Sequence, residues 1–416
     1  MRRDRPTILQ IIPNLDTGGA ELSTLEIVSA LAAAGARALV ATEGGRLEAE
    51  VAARGGELIR FPAATKSPFR MLQNAAALGR IIRDEGIGLV HARSRAPAWS
   101  GLFAARRAGV PFVTTYHGAY AERGALKRLY NSVMARGDRV IANSAYTAQL
   151  IQGRYGTTND RLRVIHRGVD LQLFDPAGIG AERQRVLAEA WGIGPGQRVI
   201  LQAARLTSWK GQRVLIEAAA VLAKARRLGD AVLVLAGDDQ GRTAYAAELR
   251  QRADALGLGD RVRMPGHVAD IAAALAVAHV AVVASTEPEA FGRSAAEAQA
   301  MGCPVIATNI GAPAETVIAA GSDGPGEAAT GWLVPPGDPE ALAGALGTAL
   351  ELAPEVRMVL GARARRHVAA RFTVEAMQHA TLSVYDEVLG TSLAGSAARV
   401  ERAGSTNITA AATRYS

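Results

Sequence analysis

The sequence predicts an α/β protein built from two doubly wound parallel-sheet domains, and three observations support this prediction. Short apolar runs alternate with amphipathic stretches along the chain, a pattern typical of βαβ units. At 416 residues the chain is too long for one ordinary domain. The alternation breaks at about residues 171–196 and then restarts, as expected for a second domain of the same class.

We expect the first domain to occupy residues 1–170. Its apolar runs have the length of buried strands, and the stretches between them carry apolar residues at helical spacing. The predicted strands are 8–12, 38–42, 89–91, 112–115, 139–142 and 163–165. The predicted helices include 21–33, 71–83 and 126–135.

The break at 171–196 contains Asp175-Pro176, several glycines, a short helical piece and Pro195-Gly196, which predicts a linker. The second domain is expected over 197–371. Its predicted strands are 199–203, 231–236, 262–264, 280–283, 305–307 and 332–334, and its predicted helices are 212–226, 243–256, 271–278, 292–301 and 339–352. The tail 391–416 is rich in Ala, Gly, Ser and Thr and lacks periodicity, so we expect it to be disordered.

Charge is unevenly distributed between the two halves. Residues 1–170 contain 24 Lys and Arg against 14 Asp and Glu, whereas the remainder contains 23 against 25. A basic first half suggests an anionic partner: nucleic acid, a phosphorylated acceptor or an anionic membrane surface. An arginine-rich surface without a partner is the alternative. The candidate membrane-facing cations are Arg106, Arg107, Arg123, Lys127, Arg128 and Arg136.

Several function classes are disfavoured by composition. A single cysteine, Cys303, excludes an internal disulfide framework and a cysteine-based metal site. No Asp-x-Asp and no His/Cys cluster with ligand spacing occurs, so we expect neither metal nor another cofactor. No window reaches 18 uninterrupted apolar residues, and the run after the charged N-terminus is too short for a signal-peptide core. We therefore expect a cytoplasmic protein.

The strongest motif is Glu287-Pro288-Glu289-Ala290-Phe291-Gly292-Arg293-Ser294-Ala295-Ala296-Glu297. It follows a predicted strand and opens a predicted helix. Glu289 lies in the loop and Glu297 in the helix, so the two carboxylates can reach different parts of one elongated ligand. Gly292 permits close backbone approach, and the N–H groups of the helix start suit an anion or a sugar hydroxyl. The alternative is that these are ordinary acids of a helix start and a solvated helix face.

A second motif, Ala204-Arg205-Leu206-Thr207-Ser208-Trp209-Lys210-Gly211, also follows a predicted strand. Arg205 and Lys210 bracket a loop that leads into a helix. Two cations at such a turn can neutralise a diphosphate and stabilise it as a leaving group. The Walker A spacing is absent, and ordinary surface cations are the alternative.

The first predicted strand is followed by Asp16-Thr17-Gly18-Gly19-Ala20-Glu21. This segment lacks the dinucleotide-binding spacing, but Gly18 and Gly19 still permit a ligand to approach the backbone. A plain strand–helix turn explains it equally well.

Histidines mark three further places in the first domain. His117 ends a predicted strand, where open α/β sheets bind ligands. It is expected either to contact a ligand or to form a hydrogen bond in the loop. The segment His166-Arg167-Gly168-Val169-Asp170 lies where the first domain ends and is expected near the site, whereas His91-Ala92-Arg93-Ser94 favours a structural role.

Taken in order, these motifs resemble the retaining glycosyltransferases of family 4, also called group 1, which have the GT-B fold. The matching order is Gly-Gly-Ala-Glu, a strand-ending His-Gly, Gly-Val-Asp, Arg-(x4)-Lys-Gly, Leu-Ala-Gly, the Glu-x7-Glu block and Gly-Cys-Pro-Val-Ile-Ala-Thr. The resemblance spans about residues 7–390. It implies two Rossmann-like domains facing across a cleft, with a helix at about 372–389 crossing back to the first.

The resemblance also assigns roles to residues. Arg205 and Lys210 are expected to hold the donor diphosphate, and Glu297 to hold the ribose hydroxyls. Glu289, with the backbone at Ala290, Phe291 and Gly292, is expected to hold the donor sugar. Gly18 and Gly19 would pack against the diphosphate, His267 and Val268 would cradle the base, and His117 would lie near the transferred sugar and acceptor. His117, Arg205, Lys210 and Glu289 are thus the predicted catalytic residues.

Three segments depart from the family pattern. His-x-His is replaced by His91-Ala92-Arg93, Gly-Gly by Gly311-Ala312, and Gly-Asp-Gly by Gly237-Asp238-Asp239. These departures concern acceptor details and loop shape rather than the reaction class.

The expected reaction is transfer of a hexose-type sugar from a UDP-, GDP- or ADP-linked donor, with retained anomeric configuration. The expected acceptor is a sugar or a lipid-linked molecule of cell-envelope polysaccharide, lipopolysaccharide or glycolipid synthesis, which would suit loose association with the inner face of the membrane. Two alternatives remain. A sugar-nucleotide epimerase shares the scaffold, and a basic nucleic-acid-binding protein would use the first half, although no aromatic-studded basic motif supports it.

Overall fold

The computed structural model describes residues 5–16, 18–120, 122, 124–321 and 328–397. The chain forms two compact units. The first contains the chain up to Gly168 and the segment that begins at Val374, and the second is Val169–Thr373. Within the second unit, the N–H of Val169 donates to the carbonyl of Phe372 at 2.8 Å. The first and last residues of this unit are therefore neighbours.

The first unit contains a seven-stranded sheet in the order β3-β2-β1-β4-β5-β6-β7, with every neighbouring pair parallel. Every residue of β1 is buried, because helices cover both faces of the sheet. The strands are β1 (Thr7–Ile11), β2 (Arg37–Thr42), β3 (Glu57–Arg60), β4 (Leu89–Ala92), β5 (Phe112–Tyr116), β6 (Arg139–Ala142) and β7 (Leu162–Val164).

Two helical layers cover this sheet. Crossovers between parallel strands are right-handed, so connections running in opposite directions place their helices on opposite faces. One layer contains α1 (Gly19–Ala33), α2 (Glu48–Ala53) and the helix from the end of the chain, α15 (Val374–Leu389); the other contains α3 (Pro68–Asp84), α4 (Arg95–Ala108), α5 (Ala125–Asn131) and α6 (Ala145–Tyr155). The apolar core is accordingly divided into a cluster on each face, one containing Leu31 and Tyr385 and the other Leu78 and Met134.

The second unit repeats this architecture with a six-stranded parallel sheet in the order β10-β9-β8-β11-β12-β13. The strands are β8 (Val199–Ala203), β9 (Val232–Ala236), β10 (Val262–Gly266), β11 (Val280–Val283), β12 (Val305–Thr308) and β13 (Trp332–Val334). The helices are α7 (Ala181–Ala190), α8 (Gln212–Lys224), α9 (Thr243–Ala255), α10 (Ile271–Val277), α11 (Arg293–Ala300), α12 (Pro313–Thr316), α13 (Pro339–Leu350) and α14 (Pro354–Arg371). The α/β fold class predicted from the sequence is confirmed.

Two segments differ from their sequence-based description. The predicted linker 171–196 contains the expected short helix, α7, but it is part of the second unit, because Phe174, Ile179 and Trp191 are buried in the core of that unit. The tail predicted to be disordered begins with a helical turn at 393–397. The carboxylate of Asp386 caps the start of this turn by accepting hydrogen bonds from the N–H groups of Leu393 and Ala394. The buried apolar residues of both segments are isolated among polar neighbours and show no periodicity. The sequence therefore does not predict that either segment packs against a core. Residues 398–416 lie outside the described residues.

Among the described residues, no helix has the length and apolarity needed to cross a membrane.

Glycines allow the loop after β8 to touch the loops after β9 and β11. A Cβ on Gly237 would lie 1.9 Å from the carbonyl oxygen of Ala204 and 3.1 Å from the Cα of Arg205. Gly211 has φ 71°, and a Cβ there would lie 1.8 Å from the carbonyl oxygen of Ala284. Backbone atoms cannot give way as side chains do, so only glycine fits at these two places.

We predict that Gly237→Ala lowers the free energy of unfolding by about 2 kcal/mol, since the added methyl group must displace backbone. The matched control is Gly344→Ala, at an exposed helical position with nothing within 4 Å of the added Cβ. This control should raise stability by roughly 0.5 to 1 kcal/mol. Urea unfolding of both variants measures the difference, and equal stabilities would contradict the close approach.

Candidate functional site

Both sheets reverse the direction of their connections between two adjacent strands. In the second unit these strands are β8 and β11, and in the first they are β1 and β4. Ligands of open α/β sheets bind outside the carboxyl ends of the strands at such a reversal, where the loops diverge and leave a crevice. The motifs predicted from the sequence follow β1, β5, β8 and β11 and are therefore at this edge of their sheets.

The loops after β8 and β11 are connected by hydrogen bonds. The N–H of Thr286 donates to the carbonyl of Trp209 at 2.8 Å. The hydroxyl of Ser294 donates to the carbonyl of Ala203 at 3.2 Å. The two strongest motifs, about 80 residues apart in the chain, therefore form one local structure.

Lys210 and Glu289 form an ion pair at the centre of this structure. The ammonium group of Lys210 donates to Oε1 of Glu289, and the hydroxyl of Ser285 donates to the same oxygen at 2.6 Å. The two side chains are only 15% and 12% exposed. The Lys210 Nζ also lies 4.4 Å from the centroid of the Trp209 ring. The pair is thus partly shielded from water. Charge interactions in such a partly buried place are stronger than at an exposed surface.

The backbone of Glu289 is held by the loop after β12. The N–H of Ala312 donates to the carbonyl of Glu289 at 2.9 Å, and Gly311 forms a parallel bridge with Glu289. A Cβ on Gly311 would lie 2.4 Å from the Glu289 carbonyl oxygen. Although Gly311-Ala312 replaces a Gly-Gly of the family pattern, the first of the two positions retains the glycine that this contact needs.

Gly292 connects the Glu289 loop to α11. It has φ 81° and serves as the N-cap residue of that helix. Phe291 is buried, and its ring meets Phe372 edge-to-face at 5.8 Å. Glu297 is one turn along α11 from Arg293 and pairs with it at 2.8 Å. The loop is therefore anchored on its apolar side, which leaves the N–H groups of the helix start at the sheet edge.

Arg205 is the exposed cation of the β8 loop. Its carbonyl accepts a hydrogen bond from the side chain of Gln212 at 2.9 Å, which holds the backbone. Among the described residues, no carboxylate pairs with its guanidinium, in contrast to Lys210. Arg205 is therefore available to an anion that enters the crevice.

His267 and Val268 lie farther from the centre of the second sheet. They follow the edge strand β10, which β9 separates from β8. His267 is exposed, and Val268 packs against the core cluster that includes Phe291. Within the described part of the chain, no direct contact joins either residue to the Lys210–Glu289 pair.

In the first unit, Arg167 brings Gly19 and His117 together. Its guanidinium donates to the carbonyl of Gly19, to the hydroxyl of Ser23 at 3.2 Å and to Nδ1 of His117 at 2.6 Å. A Cβ on Gly19 would lie 3.0 Å from the same guanidinium, so a larger residue would press on Arg167. Gly18 precedes α1 as its N-cap residue.

The contact with Arg167 determines which nitrogen of His117 carries the proton. A guanidinium is only a donor, so Nδ1 must accept and Nε2 must carry the hydrogen. Burial, together with the cations of Arg167 and Arg93, holds the pKa of His117 well below its ordinary value. Nε2 is buried and has no hydrogen-bond partner among the described residues. His117 is thus a neutral donor whose N–H is unused.

Arg93 and His91 form a buried polar network behind this site. The guanidinium of Arg93 donates to the side chain of Gln10 at 2.8 Å and to the carbonyl of Ser23 at 3.0 Å. His91 bonds to Thr115 at 2.7 Å and to Tyr385 of α15 at 2.6 Å. Burial lowers the pKa of His91. The structural role expected for these two residues fits their complete burial.

Three contributors to the two sites are not evident from the sequence. Arg167 is marked only by its position at the end of the first domain, and no sequence pattern predicts that it contacts both Gly19 and His117. Ser285 lies two residues after the end of β11 and binds Glu289; its place near a strand end is the only signal in the sequence. Gly311 enters the sequence analysis only as the retained half of a Gly-Gly pattern whose second glycine is replaced by Ala312.

Clusters of His, Cys, Asp or Glu able to hold a metal ion are absent from the described residues. This observation leaves metal independence as a prediction.

The chain matches two family models in succession. The model described as Glycosyltransferase Family 4 matches residues 17–173, and the one described as Glycosyl transferases group 1 matches residues 184–367. Among curated relatives, a D-inositol 3-phosphate glycosyltransferase of Kineococcus radiotolerans is 30% identical over 403 residues. That alignment covers 89% of this chain and 90% of the relative.

Solved structures show the same architecture. A glycosyltransferase from Rickettsia africae has a TM-score of 0.84 and 33% identity, covering 94% of this chain and 100% of that one. Anabaena HepE in complex with UDP-glucose has a TM-score of 0.76 and 25% identity, covering 92% and 99%. Both the predicted GT-B fold and the resemblance to family 4 are thereby confirmed. The chain belongs to the family 4, or group 1, glycosyltransferases and is a glycosyltransferase of GT-B fold.

Proposed function

We propose that the protein transfers a hexosyl group from a nucleoside-diphosphate sugar to a cell-envelope acceptor, with retention of anomeric configuration and without a metal ion. The observation that carries the proposal is the set of Lys210, Glu289 and the available cation Arg205 at the carboxyl ends of β8 and β11. The UDP-glucose complex of HepE, which is 25% identical, supports this donor class.

Arg205 and Lys210 are the proposed diphosphate ligands. When the bond between the anomeric carbon and the phosphate oxygen breaks, negative charge develops on the diphosphate. Cations fixed beforehand in a partly buried site stabilise that charge without having to reorganise. In this role the two side chains neutralise the diphosphate charge that a metal ion would otherwise neutralise. We therefore propose that transfer needs no metal ion.

Glu289 is proposed to bind hydroxyl groups of the donor sugar. Its Oε1 is occupied by Lys210 and Ser285, which leaves Oε2 as the acceptor for a sugar hydroxyl. Glu297 is proposed to bind the ribose hydroxyls from α11, and His267 with Val268 to border the base. The ion pair would hold the carboxylate in one orientation, so sugar recognition and leaving-group stabilisation depend on the same two side chains.

The proposed transfer takes place on one face of the sugar. The acceptor oxygen forms the new bond to the anomeric carbon on the side from which the diphosphate leaves, and its proton passes to a diphosphate oxygen. No protein nucleophile is required. His117, with Nε2–H unused, is proposed to donate a hydrogen bond to the transferred sugar or the acceptor, and Gly18 and Gly19 to border the diphosphate.

The donor class and the stereochemistry can be tested together. We expect one of the UDP-, GDP- or ADP-hexoses to raise the melting temperature, because a ligand at 100 times its Kd adds about 2.7 kcal/mol to the stability of the folded state. NMR of the product made with that donor should show the donor's own anomeric configuration, with or without EDTA. An inverted product would contradict retention, and a new sugar nucleotide formed without acceptor would identify an epimerase.

Removing either member of the ion pair should abolish most transfer. We expect Lys210→Ala and Glu289→Ala each to lower kcat about 100- to 1,000-fold, the loss typical of one charge-stabilising group. Arg213→Ala is a matched control, because Arg213 pairs with Glu217 on the exposed face of α8. Unfolding curves of all three variants separate loss of activity from loss of fold. Full activity in both site variants would contradict the assignment.

Arg167 is expected to act as a positioning residue. Arg167→Gln removes both a cation that lowers the pKa of His117 and a donor that fixes its tautomer. We expect the acid limb of the kcat–pH profile to move to higher pH, because protonated His117 is then less disfavoured. Nitrogen NMR of the histidines should show His117, assigned with His117→Gln, losing its pure Nε2–H form.

Arg161→Gln is the control for this experiment. Arg161 donates to the carbonyls of Ala135 and Gly137 and does not contact His117. An identical pH profile and tautomer in Arg167→Gln and Arg161→Gln would reject a positioning role for Arg167.

A further inference from the structure

The two helical layers of the first unit carry opposite charges. Helices α3, α4, α5 and α6 together contain nine Lys and Arg and one acidic residue. Helices α1, α2 and α15 contain seven Asp and Glu and no Lys or Arg. We call these the basic layer and the acidic layer. The positive charge of the first half is therefore concentrated on one face of the sheet.

Large apolar side chains are exposed on the same basic layer. Leu126 and Leu129 of α5 are 84% and 53% exposed, Phe103 of α4 is 45% exposed, and Phe69 and Leu72 of α3 are 70% and 62% exposed. Single exposed apolar residues are common on soluble proteins, but five on three neighbouring helices form a patch that calls for an explanation.

Direct contacts join the three helices into one surface. The hydroxyl of Ser100 in α4 donates to the carbonyl of Met71 in α3 at 2.9 Å. The indole N–H of Trp99 donates to the carbonyl of Tyr130 in α5 at 3.1 Å. The rings of Trp99 and Phe103 lie 5.7 Å apart. The apolar side chains thus belong to a continuous outer surface of α3, α4 and α5, which we call the docking face.

The same three helices and the segments next to them also carry cations without acidic partners among the described residues. Among the described residues, no carboxylate pairs with Lys66, Arg70, Arg107 or Lys127, all of which are exposed. The guanidinium of Arg136 lies 5.2 Å from the Trp99 ring centroid. The one acid of the basic layer, Asp84, ends α3, about 22 Å from Phe69 at 1.5 Å per residue. Positive charge and exposed apolar groups therefore coincide.

We propose that the docking face binds the surface of an anionic lipid bilayer. Phe and Leu side chains that project beyond a cationic surface can enter the boundary between headgroups and acyl chains, while Lys and Arg attract the lipid phosphates. A nucleic acid backbone would be attracted by the same cations, but it offers nothing to the aliphatic side chains of α5. The combination therefore favours a bilayer over nucleic acid.

The acidic layer gives this binding a direction. Its helices contain no Lys or Arg, and Glu48, Glu50 and Glu387 are paired with arginines of neighbouring segments. That face therefore offers an anionic surface much less attraction than the docking face does, which favours one orientation of the first unit towards the bilayer. The docking face does not include the Lys210–Glu289 pair or the Arg167–His117 contact, so the proposal does not depend on the proposed function.

The test uses the full-length purified protein and vesicles of two compositions, phosphatidylcholine alone and phosphatidylcholine with 30% phosphatidylglycerol. We expect flotation with the anionic vesicles only, weakening as salt is raised, because exposed charges are screened. Equal binding to both compositions, or binding to neither, would overturn the proposal. Salt-sensitive binding to random-sequence duplex DNA without vesicle binding would replace it with nucleic acid.

Paired variants locate the surface. Arg107→Gln with Lys127→Gln should weaken binding about fivefold for each cation, roughly 25-fold in all. The matched control is Lys224→Gln with Arg250→Gln, which removes two exposed charges from the second unit. Equal weakening in both pairs would mean that net charge alone governs binding, and the docking face would be rejected.

Insertion of the apolar side chains is tested separately. Leu126→Trp should be quenched by brominated acyl chains in anionic vesicles, whereas Val186→Trp, at a position 54% exposed in the second unit, should not. The unmodified protein measures the background from its four native tryptophans. Absence of extra quenching in Leu126→Trp would exclude insertion of α5 and would overturn the proposal that this face enters the bilayer.

Discussion

The ion pair between Lys210 and Glu289 is the interaction on which the second unit's site depends. It requires the loops after β8 and β11 to meet, and they meet because the two strands are neighbours at the reversal of the sheet order. Gly211 and Gly311 then let backbone approach backbone more closely than any side chain would permit. The charges are therefore brought together by the backbone and are not free to find other partners.

In the first unit, a single arginine holds the loops of two strands together. Arg167 contacts the glycine turn after β1 and the histidine after β5 at the same time. Its donor-only chemistry leaves His117 neutral with a hydrogen on Nε2. The buried network of Arg93, His91 and Tyr385 connects the neighbouring strands to α15, so the helix contributed by the end of the chain helps to stabilise this part of the sheet.

The charge asymmetry of the first unit is a separate property. It arises because the strand connections reverse direction between β1 and β4, which places α1 and α2 on one face of the sheet and α3 to α6 on the other. The charge count along the chain could show only that the first half is basic. Its division into a basic and an acidic layer, and the apolar side chains of the basic one, depend on which face each helix covers.

The sequence by itself determined the α/β class, the positions of most strands and the family. Strand-length apolar runs, helical periodicity and the ordered motifs are local properties, so they can be recognised in the sequence alone. It did not reveal that 171–196 is built into the second unit, because burial of Phe174 and Trp191 depends on partners far along the chain. Only the tertiary structure paired Lys210 with Glu289 and Arg167 with His117. Such contacts are set by strand order and loop closure, and neither is encoded in any short stretch of residues.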